Sequence, residues 1–65
     1  MPKGYYALIV KVLKSEGFRY AHNTKGSHER WVNDETGSTA VVPKSTGSRH
    51  TANAVLKQAG LGKRL

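Results

Sequence analysis

The fold is decided by residues 18–42, FRYAHNTKGSHERWVNDETGSTAVV, which contain three strand-like segments separated by turn residues. In Phe18–Asn23 and in His28–Asn33, alternate residues would form the two faces of a strand. Ser38–Val42 is rich in β-branched residues, which favour strands. The segments are separated by two breaks, residues 23–27 and 33–37, and each break contains the turn-forming residues Asn and Gly. Breaks of this length join neighbouring strands as hairpins, so the stretch predicts a three-stranded antiparallel sheet.

The segment before the sheet, residues 5–16, is predicted to form a helix that ends at Gly17. The apolar positions that share one helical face, at spacing i, i+3, i+4 and i+7, are Tyr6, Ile9, Val10 and Leu13. Because Leu8 and Val12 are also apolar, periodicity alone leaves a strand open, but the length of the segment favours a helix. Glycine is also the residue type that commonly follows a helix C-terminus.

The segment after the sheet gives the clearest helical pattern, over residues 49–60. Pro43 ends the third strand, and a polar linker follows it. The apolar positions of the helix are Ala52, Val55, Leu56 and Ala59. Ser48 is the preferred N-cap, with Thr51 as the alternative, and Gly60 is predicted to end the helix.

The order helix, strand, strand, strand, helix predicts an α+β fold with two layers. Two helices can cover one face of a three-stranded antiparallel sheet, which leaves the other face to solvent or to a partner. The predicted core residues are Ile9, Leu13, Phe18, Trp31, Val41, Val55 and Leu56. Because His28 and Trp31 are three positions apart in a strand, they are expected on opposite faces.

The length and composition exclude several classes of protein. A chain of 65 residues allows one domain, expected to span residues 1–65, and its lack of cysteine excludes disulfides, zinc–thiolate sites and a cysteine nucleophile. The longest apolar run, Ala7–Val10, is too short for a transmembrane helix or a signal peptide. A cytoplasmic protein without a membrane partner is therefore expected.

The charge balance points to a polyanionic partner. Eleven Lys and Arg residues against four Asp and Glu residues give a formal net charge of +7. Four carboxylates are a poor supply for a two-metal nuclease, and no two of the three histidines have a helical metal-ligand spacing. We therefore expect neither a metal nor a small-molecule cofactor.

Residues 25–31, KGSHERW, are the segment in which catalytic chemistry is expected. His28 begins a strand after a Gly-Ser turn, where a substrate can reach it, and imidazole is the side chain that most often transfers protons near neutral pH. Lys25 and Arg30 flank it and could hold a phosphate. The simpler interpretation is a lone surface histidine in a basic protein.

The other two histidines are weaker candidates. His22 is predicted to be a structural strand residue that shares a side with Phe18 and Tyr20, unless a bulge near Thr24 shifts it. His50 falls in the first turn of the last helix, where helix-end amides, with Ser48 and Arg49, could hold a phosphate.

Several motifs along the chain resemble the HicA toxin family, from about Ile9 to Leu61. The motifs are Gly17-Phe18, residues 25–31, Val41-Val42-Pro43, Thr51 and Val55-Leu56-Lys57-Gln58-Ala59-Gly60-Leu61. The chain departs from the family pattern at Asn33-Asp34, where His-Pro is common, at Ser45, where many members have histidine, and at His50, where glycine is common.

The resemblance implies a double-stranded-RNA-binding-like α-β-β-β-α fold and a ribonuclease toxin that cleaves mRNA. It also implies neutralisation by a HicB antitoxin and a catalytic role for His28. RNA supplies its own 2′-OH nucleophile, so His28 would act as acid or base while Lys25, Gly26, Ser27 and Arg30 contact the phosphate. The alternatives are a non-catalytic RNA-binding module and a small DNA-binding or protein-interaction module.

Overall fold

A computed structural model describes residues 4–62 and 64–65 and confirms the predicted α+β order. The three strands form one antiparallel sheet in which the second strand is central. The elements are α1 (Tyr6–Ser15), β1 (Arg19–Lys25), β2 (His28–Val32), β3 (Thr39–Pro43) and α2 (Arg49–Gln58). All five begin and end within about two residues of the predicted bounds, which is the usual uncertainty of such boundaries.

Both helices end at a glycine in the left-handed region, Gly17 (φ +93°) and Gly60 (φ +81°). After α1, the N–H of Phe18 donates to the carbonyl oxygen of Leu13 (2.9 Å), which is the long bond of a Schellman motif. Phe18 therefore belongs to the motif that ends α1. The alternation predicts that Phe18 begins the first strand, but β1 begins at Arg19. The predicted N-cap of α2 is confirmed, because Ser48 Oγ accepts the backbone N–H three residues on (3.5 Å).

A two-residue turn, Gly26-Ser27, connects β1 to β2. Gly26 has φ +54°, whereas Ser27 lacks a positive φ, which is the pattern of a type II′ hairpin turn. The predicted five-residue break at 23–27 is therefore wrong, since β1 continues to Lys25. Asn23 supports the turn, because its Nδ2 donates to the carbonyl oxygen of Gly26 (3.2 Å).

The core lies between the two helices and one face of the sheet. It consists of Ile9, Leu13, Phe18, Trp31, Ala40, Val42, Ala52, Val55, Leu56 and Ala59. The prediction of Val41 as a core residue is wrong. β3 pairs with β2 so that Ala40 lies opposite Trp31 and Val42 opposite Glu29, which turns Val41 away from the helices.

We call the sheet face turned away from the helices the open face. Its residues are Arg19, His22 and Lys25 of β1, His28, Arg30 and Val32 of β2, and Thr39, Val41 and Pro43 of β3. None of these nine residues is buried. The predicted separation of His28 from Trp31 is confirmed, because the Trp31 side chain belongs to the core on the covered face.

A buried asparagine holds the turn between β2 and β3. Asn33 Oδ1 accepts the N–H groups of Glu35 (2.9 Å) and Thr36 (3.1 Å), and its Nδ2 donates to the carbonyl oxygen of Glu16 (2.9 Å). One side chain therefore fixes both this turn and the end of α1 relative to β2.

Candidate functional site

His28 is the first residue of β2 and is exposed on the open face. It pairs with Lys25 on one side and with Pro43 on the other. Its Nδ1 lies 3.2 Å from the carbonyl oxygen of Lys25. Because a carbonyl oxygen can only accept, this hydrogen bond requires a proton on Nδ1, and the neutral ring then has its lone pair on Nε2. The backbone thus sets the tautomer in which Nε2 can act as a base.

Two cations of the open face stand beside this imidazole. Lys25 lies directly across from His28 on β1, and Arg30 lies two residues further along β2 on the same face. Neither has a carboxylate partner among the described residues. Both charges are therefore available to phosphate oxygens near His28.

The third cation of the open face, Arg19, is already paired. Its guanidinium donates to both carboxylate oxygens of Asp34, from Nε at 2.7 Å and from Nη2 at 3.2 Å. The hydrogen bonds of this pair raise the pKa of Arg19 and lower the pKa of Asp34. The unpaired positive charge of the open face is thus concentrated at the end of the sheet where His28 lies.

The Gly-Ser turn brings its two residues to the same corner of the sheet. Gly26 and Ser27 are both exposed, and a Cβ on Gly26 would meet no heavy atom within 4 Å. The carbonyl oxygen of Ser27 accepts the N–H of Lys44 (3.0 Å), which ties the turn to the chain that follows β3. The structure therefore brings together all five predicted site residues, at positions 25–28 and 30.

Glu29 is a structural residue of the site segment that the sequence reasoning missed. It lies on the covered face, 6% exposed, and its Oε1 accepts the hydroxyl of Tyr6 (2.8 Å) and the indole N–H of Trp31 (3.0 Å). Its Oε2 lies 3.9 Å from Nζ of Lys44. The alternation that predicts a buried Trp31 also places Glu29 on the covered face, so the signal was present.

His22 is not the structural histidine that the sequence predicts. It is exposed on the open face, directly opposite Arg30. The pairing of β1 with β2 shifts between Tyr20 and His22. Tyr20 therefore lies opposite the core residue Trp31 on the covered face, whereas His22 lies on the open face. The predicted bulge near Thr24 is also present, as a second shift between Asn23 and Lys25.

His50 lies apart from the other two histidines. It is exposed in the first turn of α2, the helix that packs on the covered face. A cleft along the outer side of this helix is lined by His50, Asn53, Ala54, Lys57, Leu61, Gly62 and Arg64. The structure therefore does not bring His50 to the face where His28 lies.

The described residues contain neither a metal-binding cluster nor a membrane-spanning helix. Within residues 4–62 and 64–65, no three His, Cys, Asp or Glu side chains cluster as they would around a metal ion. No helix in these ranges has the length and apolar character needed to cross a bilayer.

Comparison with known proteins gives one match. A family model described as the HicA toxin of bacterial toxin-antitoxin matches residues 7–61 of the 65-residue chain. The match spans the three strands, α2 and all of α1 except its first residue. Neither the curated proteins nor the solved structures contain a chain that matches.

Proposed function

Since the chain belongs to the HicA toxin family, and is therefore a toxin of a bacterial toxin–antitoxin system, we propose that it is a metal-independent endoribonuclease. It cleaves mRNA with His28 as the catalytic residue. The observation that carries the proposal is the hydrogen bond from His28 Nδ1 to the Lys25 carbonyl oxygen on an exposed, basic sheet face. It leaves Nε2 of an accessible imidazole able to accept a proton.

The nucleophile comes from the RNA itself. Nε2 of His28 removes the proton of a ribose 2′-OH, and the oxygen attacks the adjacent phosphorus as the bond to the 5′-oxygen breaks. The 5′-oxygen takes up a proton as it leaves, so the products are a 2′,3′-cyclic phosphate and a 5′-OH. This route needs no metal ion and no cofactor, which agrees with the scarcity of carboxylates in the sequence.

The cations of the open face stabilise the charge that develops on the phosphate. Lys25 lies across from His28 and Arg30 lies two residues beyond it, and neither is engaged by a carboxylate among the described residues. Each can bind a non-bridging oxygen as negative charge accumulates there in the transition state. The exposed Ser27 hydroxyl adds a hydrogen-bond donor, and Gly26 leaves the turn without a side chain that would obstruct the RNA.

The antitoxin partner is proposed to be a HicB-like protein that covers the open face. Occupation of that face would deny RNA access to His28, and acidic side chains would complement Lys25 and Arg30. With the cognate antitoxin bound, His28 should be protected from carbethoxylation by diethyl pyrocarbonate. An antitoxin that binds but leaves His28 reactive would contradict this mode of neutralisation.

The test compares cleavage of mRNA by the wild type, His28→Ala and the control His50→Ala. Loss of a positioned general base lowers rates by about 10²–10⁴-fold. We expect that loss in His28→Ala, with RNA binding and the circular dichroism spectrum retained, whereas His50→Ala should cleave normally. Cleavage should also persist in EDTA and stop when the scissile nucleotide is 2′-deoxy.

Three outcomes would overturn the proposal. Full cleavage by folded His28→Ala would remove this residue from the mechanism, and a strict requirement for added metal would refute the metal-free route. Binding of RNA by the wild type without cleavage of any RNA would favour the non-catalytic RNA-binding module instead.

A further inference from the structure

β1 contains two irregularities in its pairing with β2, and both lie beside the candidate site. The register shifts between Tyr20 and His22 and again between Asn23 and Lys25. In a regular strand, residues three apart point to opposite faces. Because of the two shifts, Arg19, His22 and Lys25 instead all pair with open-face residues of β2.

The shifts bring a second imidazole to the face that carries His28. His22 lies opposite Arg30, and Lys25 lies opposite His28, so the two histidines occupy diagonal positions across the β1–β2 pair. Diagonal neighbours in an antiparallel pair lie about 7–8 Å apart. A phosphodiester group placed between them can therefore contact one imidazole through its 2′-oxygen side and the other through its 5′-oxygen side.

The His22 side chain makes no hydrogen bond or ion pair with another of the described residues, 4–62 and 64–65. It is also exposed. β1 is an edge strand of the sheet, so β2 is the one strand beside it in the part of the chain that the structure describes. The ring is therefore free to meet a ligand on the open face.

We propose that His22 is the general acid that protonates the leaving 5′-oxygen, which deepens the ribonuclease function proposed above and rests on it. His28 Nε2 accepts the 2′-OH proton, the new bond forms between the 2′-oxygen and phosphorus, and the bond from phosphorus to the 5′-oxygen breaks. The His22 imidazolium gives its proton to that oxygen. One proton is taken up and one is released, so the step balances without a further reactant.

The charged groups around His22 fit a phosphate ligand. The titratable and charged residues that face it are Arg19, Lys25, His28 and Arg30, and Asp34 neutralises the first of these. A protonated His22 adds to this positive charge, and a bound phosphodiester offsets the repulsion. The charge around His22 is thus complementary to that of a phosphodiester.

The test uses two RNA substrates that differ in the atom that leaves. In one the 5′-bridging atom is oxygen, and in the other it is sulfur, which departs as a thiolate without protonation. Loss of a general acid costs about 10²–10⁴-fold in rate. We expect His22→Ala and His22→Gln to lose activity by that order on the oxygen substrate and to cleave the sulfur substrate nearly as fast as the wild type. His28→Ala should be slow on both.

The pH profile gives a second readout that a purely structural role would not change. The wild type should show a bell-shaped dependence of kcat/KM on pH, and His22→Ala should lose the alkaline limb. Full activity of His22→Ala on the oxygen substrate, or equal losses on both substrates, would overturn the role of His22 while the His28 mechanism stands. If the wild type cleaves neither substrate, the ribonuclease function itself fails.

Discussion

At the residue scale, the alternation of β2 separates the charges of the site segment. His28 and Arg30 face the open side, whereas Glu29 between them is turned inward. A carboxylate on the open face would pair with Arg30 and compete with phosphate for it. On the covered face it instead accepts hydrogen bonds from Tyr6 and Trp31. One strand thus presents only cationic and neutral groups to a ligand.

Replacement of Tyr6 by Phe tests how strongly this inward contact supports β2. The hydroxyl of Tyr6 donates to Glu29 Oε1 at 2.8 Å. A hydrogen bond to a charged group contributes about 1.5–3 kcal/mol, so the free energy of unfolding should fall by about that amount in urea titrations. The control is Tyr20→Phe, whose hydroxyl bonds the exposed Asn23 and should cost less. Equal losses in the two variants would contradict this account of Glu29.

The pH dependence of stability at alkaline pH tests the same contact independently of the difference in stability between the two proteins at neutral pH. Burial, followed by the hydrogen bond to Glu29, raises the pKa of Tyr6 to about 12, whereas an unfolded tyrosine has a pKa of about 10. The contribution of Tyr6 is therefore complete below about pH 10 and is lost as the pH rises through about 12. Unfolding titrations at several pH values should show a steeper decline for the wild type than for Tyr6→Phe. If the free energy of unfolding falls equally in both proteins, the raised pKa of Tyr6 does not contribute to stability.

At the scale of elements, α1 shows how burial decides which leucine matters. Leu13 is fully buried beneath the sheet, and Leu8 in the same helix is 48% exposed. Leu13→Ala should lower the free energy of unfolding by about 2–5 kcal/mol, because it leaves a cavity in the core. Leu8→Ala removes the same atoms from a half-exposed position, where no core cavity forms. Its loss in the free energy of unfolding, measured in the same urea titrations, should therefore be far smaller. A similar cost for both would contradict the placement of α1 on the sheet.

The elements also show what the sequence could predict. Both helices were predictable because the i, i+3, i+4 repeat and the following glycine are local signals. His28 was predictable because its position after Gly26-Ser27 fixes it at a strand start. The register of β1 was not, since the shifts that turn His22 toward the open face depend on which β2 residues it pairs with. Val41 was misplaced for the same reason, as its face is set by pairing with β2.

At the scale of the whole molecule, the fold divides a small basic chain into two unlike faces. The helices supply the apolar side chains that cover β2 and β3, so the core residues of the described chain lie on one side of the sheet. The open face has no buried residue and carries Lys25 and Arg30 without acidic partners among the described residues. A single sheet thus provides both the core and a cationic surface, which is economical in a chain of 65 residues.

The salt dependence of binding to the proposed RNA substrate tests whether the open face, and not the net charge of +7, determines where that substrate binds. Each phosphate contact on single-stranded RNA contributes about 0.7 to the slope of log K against log salt concentration. Lys25→Ala and Arg30→Ala should each lower the slope by about that amount in filter-binding or anisotropy titrations. Lys57→Ala, which removes the same unit charge from the cleft along α2, should leave the slope unchanged. If all three variants lower the slope equally, RNA is held by the overall charge, and the open face has no special role in binding.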